Sequence, residues 1–132
     1  MAHVIEFTTS RFDISKETPN PINPIAGQSV LSWLREELIR AGYTVSEPAT
    51  EDWGWYVGVE KDGASYLVGA SADAENAAAD VDWVIQVHKS RSLKDRMFGS
   101  NRMAVDDPLV ALIEKVIRSD NTIQNVSSTR EP

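Results

Sequence analysis

Two carboxylates stand directly before three aromatic side chains grouped around a glycine in Glu51-Asp52-Trp53-Gly54-Trp55-Tyr56, and a further acid, Glu60, follows four residues later. Indole and phenol rings supply rigid contact area, and neighbouring carboxylates supply directional hydrogen bonds, so this composition suits recognition of a cationic partner. A plainer reading serves the same residues. Trp53 and Trp55 would point into the core, Gly54 and Gly58 would mark a bulge or a close approach of another element, and the acids would end a loop. Alternation along one strand then puts Tyr56 and Glu60 on the face opposite the two indoles. Acid-base cleavage of a glycoside needs carboxylates about 5 to 9 Å apart across a cleft. Adjacent Glu51 and Asp52 point apart in a strand, so they do not supply that pair.

A second candidate is basic: Lys89, Arg91, Lys94, Arg96 and Arg102, interrupted only by Asp95. With Ser92 at a helix start, this run could seat a phosphate-rich small ligand or a nucleic acid. Phe98 is the one aromatic beside it, which is short of a stacking ladder. The competing expectation is that these cations solvate a loop and pair with the acidic half of the molecule. Other chemistries lack their residues. The glycines of Gly54-Trp55-Tyr56-Val57-Gly58 have neither the spacing nor the lysine of a phosphate-binding loop. Asp73, Glu75 and Asn76 lack the glycine and distal glutamate of a calcium loop. His3 and His88 are the only histidines, in no zinc-binding spacing, and no G-x-S-x-G elbow presents a nucleophile. An enzyme would need a pocket lined by His88 and a carboxylate. No catalytic residue, metal or cofactor is therefore assigned.

The 132 residues carry a net charge of −7 and no cysteine, which excludes disulfides and thiolate chemistry. Charge is polarised along the chain. Residues 47 to 82 hold nine acids against Lys61 alone, a balance of −8, while residues 88 to 102 sum to +4. The overall field disfavours a broad nucleic-acid surface. Residues 1 to 9 have neither the basic flank nor the apolar run of a signal peptide, and no segment approaches the roughly 20 apolar residues of a membrane span. A soluble, cytoplasmic protein is expected.

These residues are positioned by a simple series of elements. A strand is expected at His3 to Thr9, followed by a proline- and asparagine-rich ordered loop. A helix is predicted from an Asn23 cap and Pro24 through Leu31, Leu34 and Leu38 to Gly42. A short strand at 43 to 46 precedes a hairpin in which Trp53, Trp55, Val57 and Val59 alternate, Lys61-Asp62-Gly63 turns, and Tyr66, Val68 and Ala70 continue. Val81, Trp83, Ile85 and Val87 define another strand. Ser92 to Phe98 could form a short helix. Asp107 and Pro108 open a second main helix, in which Leu109, Leu112, Ile113, Val116 and Ile117 match the helical template. Residues 1–120 read as one α+β domain: a mainly antiparallel sheet of four to five strands with two amphipathic helices packed on one face. Residues 121–132 read as a disordered tail.

The expected function is a small acidic protein-binding module, immunity-like and bacterial in type, that covers a basic partner protein with Glu51, Asp52, Trp53, Trp55, Tyr56 and Glu60. The alternative is a small-ligand or nucleic-acid-binding domain built on the basic segment 88–102.

Overall fold

The structure, a computed structural model, describes residues 2–73, 80–90, 97 and 107–131. Their elements are β1 (Ala2–Thr9), a single 3₁₀ turn at Ile14–Lys16, β2 (Ile25–Ala26), α1 (Gln28–Arg40), β3 (Thr44–Val45), β4 (Ala49–Glu51), β5 (Gly54–Lys61), β6 (Ala64–Asp73), β7 (Val81–Ser90), α2 (Pro108–Arg118) and β8 (Ile123–Glu131). The sheet runs β3-β5-β6-β7-β1-β8, with β2 joined to β6 and β4 to β5, and every pairing is antiparallel. The expected α+β class holds, with eight strands in place of four to five. β2, β3 and β4 are two or three residues long, too short to display an alternating pattern. The short helix expected at Ser92 to Phe98 lies outside the described residues, Met97 apart.

Strand register stacks the apolar residues on one face. Phe7 stands opposite Trp83, Ile5 opposite Ile85 and then Ala70, and Val87 opposite Val68 and then Val57. The buried stripes of α1 (Val30, Leu31, Leu34, Leu38) and α2 (Leu109, Val110, Ile113, Ile117) join these residues in one core. Each such aliphatic side chain contributes about 1.5 to 3 kcal/mol on burial. Phe12 closes one end, with ring centroids 5.3 Å from Trp33 and 5.7 Å from Trp83.

The start of α1 corrects the sequence expectation. Ile25 and Ala26 pair with Asp73 and Ala72 as β2, so the helix begins at Gln28, and neither Asn23 nor Pro24 opens it. Its cap comes from a distance. The Glu17 carboxylate accepts hydrogen bonds from the backbone N–H groups of Gly27 (3.0 Å), Gln28 (3.1 Å) and Ser29 (2.9 Å). A carboxylate there satisfies free donors and complements the helix dipole. α2 starts as its sequence indicates, with Asp107 Oδ1 accepting from the Leu109 N–H at 2.9 Å.

The expected disordered tail is instead the edge strand β8. Ile123 to Glu131 pairs with β1 along almost its whole length. Ile123 is buried and Val126 packs against the core, but Asn125 adopts φ 56° and the register shifts opposite Glu6 and Thr8, which breaks the period-two pattern. The strand is secured by its backbone ladder and by polar side chains. Thr9 Oγ1 donates to the Thr122 carbonyl, Asp120 accepts from the Thr122 N–H, and Arg11 pairs with Asp120 at 2.7 Å. Near the far end, Ser128 Oγ bonds both His3 Nε2 and Glu114 Oε1, joining β8, β1 and α2.

Candidate functional site

The distinctive Glu-Asp-Trp-Gly segment is the tip of a hairpin. β4 pairs with β5 through Ala49–Tyr56, Thr50–Trp55 and Glu51–Gly54, leaving Asp52 and Trp53 as the turn. Cross-strand partners share a face, so Ala49, Glu51 and Tyr56 lie on the outer side of the sheet and Trp55 lies on the core side. Trp53 folds back over the outer side. A Cβ built on Gly69 would stand 2.5 Å from both Cη2 and Cζ3 of its indole, so only glycine at position 69 lets the ring lie against the strand. Trp53 remains 37% exposed and Trp55 only 4%. The expectation that both indoles share one face fails because alternation holds only within a ladder, and Trp53 is in the turn. Trp55 is thereby removed from the surface: it packs in the core, and its Nε1–H donates to the Ile25 carbonyl at 3.2 Å.

The proline-rich loop braces this tip. Asn20 Nδ2 donates to the carbonyls of Glu51 (3.1 Å) and Gly54 (3.0 Å), and Asn23 Nδ2 donates to that of Asp52 (2.7 Å). Asn20 Oδ1 in turn accepts from the Ile22 N–H at 2.9 Å. Three backbone carbonyls in and flanking the turn are therefore held by side chains from another loop. Such bracing reduces the ordering cost of any contact made at the tip. Sequence reasoning missed Asn20, Asn23 and Gly69; a glycine in mid-strand and two asparagines between prolines were the available signals.

The electrostatics of the surface are one-sided. Glu51, Asp52 and Glu60 are exposed, and none makes an ion pair among the described residues. Glu47 pairs with Arg35 at 3.2 Å. Lys61, the single cation of the acidic stretch, turns away, donating to the Ala41 carbonyl at 3.1 Å and lying 4.8 Å over the Tyr43 ring. The Tyr56 ring is half-buried, with its centroid 6.4 Å from that of Trp53. Glu60 lies on the same outer face as Tyr56 but at the other end of β5, about 13 Å along the strand. The structure thus gathers Glu51, Asp52, Trp53 and Tyr56 and places Glu60 apart.

The basic candidate loses its first member. Lys89 points inward, its side chain 12% exposed, and its Nζ donates to Asp107 Oδ2 at 3.3 Å. Tyr66 Oη donates to the same oxygen at 3.1 Å, and Asp107 itself is 1% exposed. Burial first, then the Asp107 charge, pushes the Tyr66 hydroxyl far above the ordinary tyrosine range and raises that of Tyr43 as well. This cluster fixes the start of α2 to β6 and β7. Arg91, Lys94, Arg96 and Arg102 lie outside the described residues. His88 is exposed, 3.4 Å from Gln86 Oε1. His3 contacts Ser128 and Glu114 through the same Nε2, while its Nδ1 is buried without a hydrogen-bond partner among the described residues. A nucleophile-activating relay uses the two ring nitrogens for different partners, and this arrangement does not.

An open groove of about 410 Å³ runs beside α1 and α2, floored by Trp33, Leu112 and Val116 and edged by Glu37, Lys115 and Asp120. Among the described residues no group of three or more acids and histidines is placed to hold a metal ion, and no helix is long and apolar enough to cross a membrane. Comparison with protein-family models, curated proteins and solved structures gave no match to this chain.

Proposed function

We propose that this chain is a protein-binding module of the immunity-like kind, which lays the hairpin tip Glu51, Asp52, Trp53 and Tyr56 on the basic surface of a partner protein. The observation that supports this reading is the exposed Trp53 indole, held against Gly69 beside carboxylates that make no ion pair among the described residues. An aromatic anchor ringed by unneutralised charge, on a braced backbone, has the composition of an interaction hot spot for cations. In a structural hairpin tip, by contrast, the acids would gain from local cations and the indole would gain from full burial.

The reading is tested by passing cell extract over the immobilised chain, over its Glu51→Lys with Asp52→Lys double variant and over its Trp53→Ala variant. One protein retained by the parent and lost with both variants is the expected result. Retention that survives both changes, or retention of nucleic acid alone, would overturn it.

A further inference from the structure

Resting on that reading, we infer that the surface has two acidic poles and that its partner is an extended segment carrying two basic residues on either side of an apolar one. The first pole is Glu51 with Asp52. The second is Glu60 with Asp62, which follows in the β5–β6 turn; both are exposed and neither makes an ion pair among the described residues. Glu51 stands opposite Gly54, six residues before Glu60. At about 3.3 Å per residue the poles are about 20 Å apart.

The strip between them is low and largely apolar. Tyr56, Gly58 and Glu60 follow one another on the outer face of β5, and Gly58 stands opposite half-buried Leu67 of β6. A Cβ at position 58 would meet only Ser46 Oγ, at 3.6 Å, so the strip dips there between Tyr56 and Glu60. An apolar side chain fits that dip. Neither helix covers this face, because the buried stripes of both lie on the other side of the sheet. At the first pole the Trp53 ring and two carboxylates favour arginine, whose planar guanidinium stacks on an indole while its fork meets a carboxylate. Lys61 makes no ion pair with either acid of the second pole among the described residues; its ammonium is engaged at the Ala41 carbonyl. Two cations about 20 Å apart correspond to about six residues of extended chain.

The test uses the full chain, labelled with ¹⁵N, and two glycine-serine peptides of identical composition. One places two arginines six residues apart with a leucine two residues before the second, so that all three side chains share one face of the extended chain; the other places the arginines two apart. The expected result is that the widely spaced peptide binds at least about fivefold tighter, because both ends engage at once. It also shifts both the Trp53 indole N–H and the Glu60 amide. Glu60→Gln with Asp62→Asn should abolish that advantage while the Trp53 signal still responds, and the unchanged remainder of the amide spectrum reports that the fold is intact. Equal affinities, an advantage that survives the double variant, or a silent Trp53 would each overturn the inference. Equal affinities combined with capture that still depends on Glu51 and Asp52 would leave the hairpin reading standing without the second pole.

Discussion

Trp53 and Trp55 are two positions apart in the chain and on opposite sides of the sheet, so the same substitution should have opposite consequences at each. Trp55→Ala empties a core site and removes the bond to the Ile25 carbonyl; a loss of about 3 to 5 kcal/mol is expected in denaturant unfolding. Trp53→Ala should cost no more than about half as much, because the ring packs on one side only, yet it should remove binding. Gly69→Ala provides a third, finer test. Its methyl group would collide with the Trp53 ring, which must swing outward, so a cost of about 1 kcal/mol and a shifted Trp53 indole resonance are expected. An unshifted resonance would show that the ring does not rest on Gly69. The sequence displayed the aromatic and acidic composition of this site but not its geometry. Whether an indole lies in a ladder or in a turn depends on the Glu51–Gly54 pairing, and β4 is too short to show a period.

At the scale of elements, the long periodic segments were legible and the polar ones were not. α2 announced itself through Asp107, Pro108 and an unbroken apolar stripe; β8 has two apolar residues in nine and a backbone irregularity between them. Its ends are held by polar groups instead, which gives testable consequences. Removing residues 121–132 should lower the melting temperature by about 10 °C or more, since β1 loses a whole ladder and Ile123 its place in the core. A dispensable tail would leave it unchanged. Asp120 sharpens the point. Hydrogen bonds from Thr122, and secondarily the Arg11 charge, hold its carboxyl below the usual carboxylate value. The folded state therefore binds that proton less readily than the unfolded chain. Asp120 stabilises the fold above about pH 4 and loses that contribution as pH falls through its depressed value. The stability gap between the parent and Asp120→Asn should accordingly narrow in acid. At the alkaline end the sign reverses. Tyr66 has a raised hydroxyl pKa, so its contribution is intact below about pH 10 and declines above it; Tyr66→Phe should flatten that decline.

At the scale of the whole molecule, both helices and every large apolar side chain of the core lie on one side of the sheet, and the acidic hairpin faces the other. Part of the acidic excess visible in the sequence thus lies on the side of the sheet away from the helices, with net charge −7 adding a long-range field that steers cations toward the molecule. Association with a basic partner should slow several-fold as salt rises from low to physiological strength, whereas dissociation, governed by the Trp53 contact, should change little. The most direct measurement is the affinity of the captured partner for the parent chain, for Glu51→Lys with Asp52→Lys, and for Glu36→Lys with Glu37→Lys. The two double variants change net charge equally, but Glu36 and Glu37 are on α1, which packs on the opposite face of the sheet. A loss of at least about a hundredfold with the hairpin variant and less than about fivefold with the distant one is expected. Equal losses would show that the partner senses only the overall charge, and would contradict the assignment of the hairpin as the binding surface.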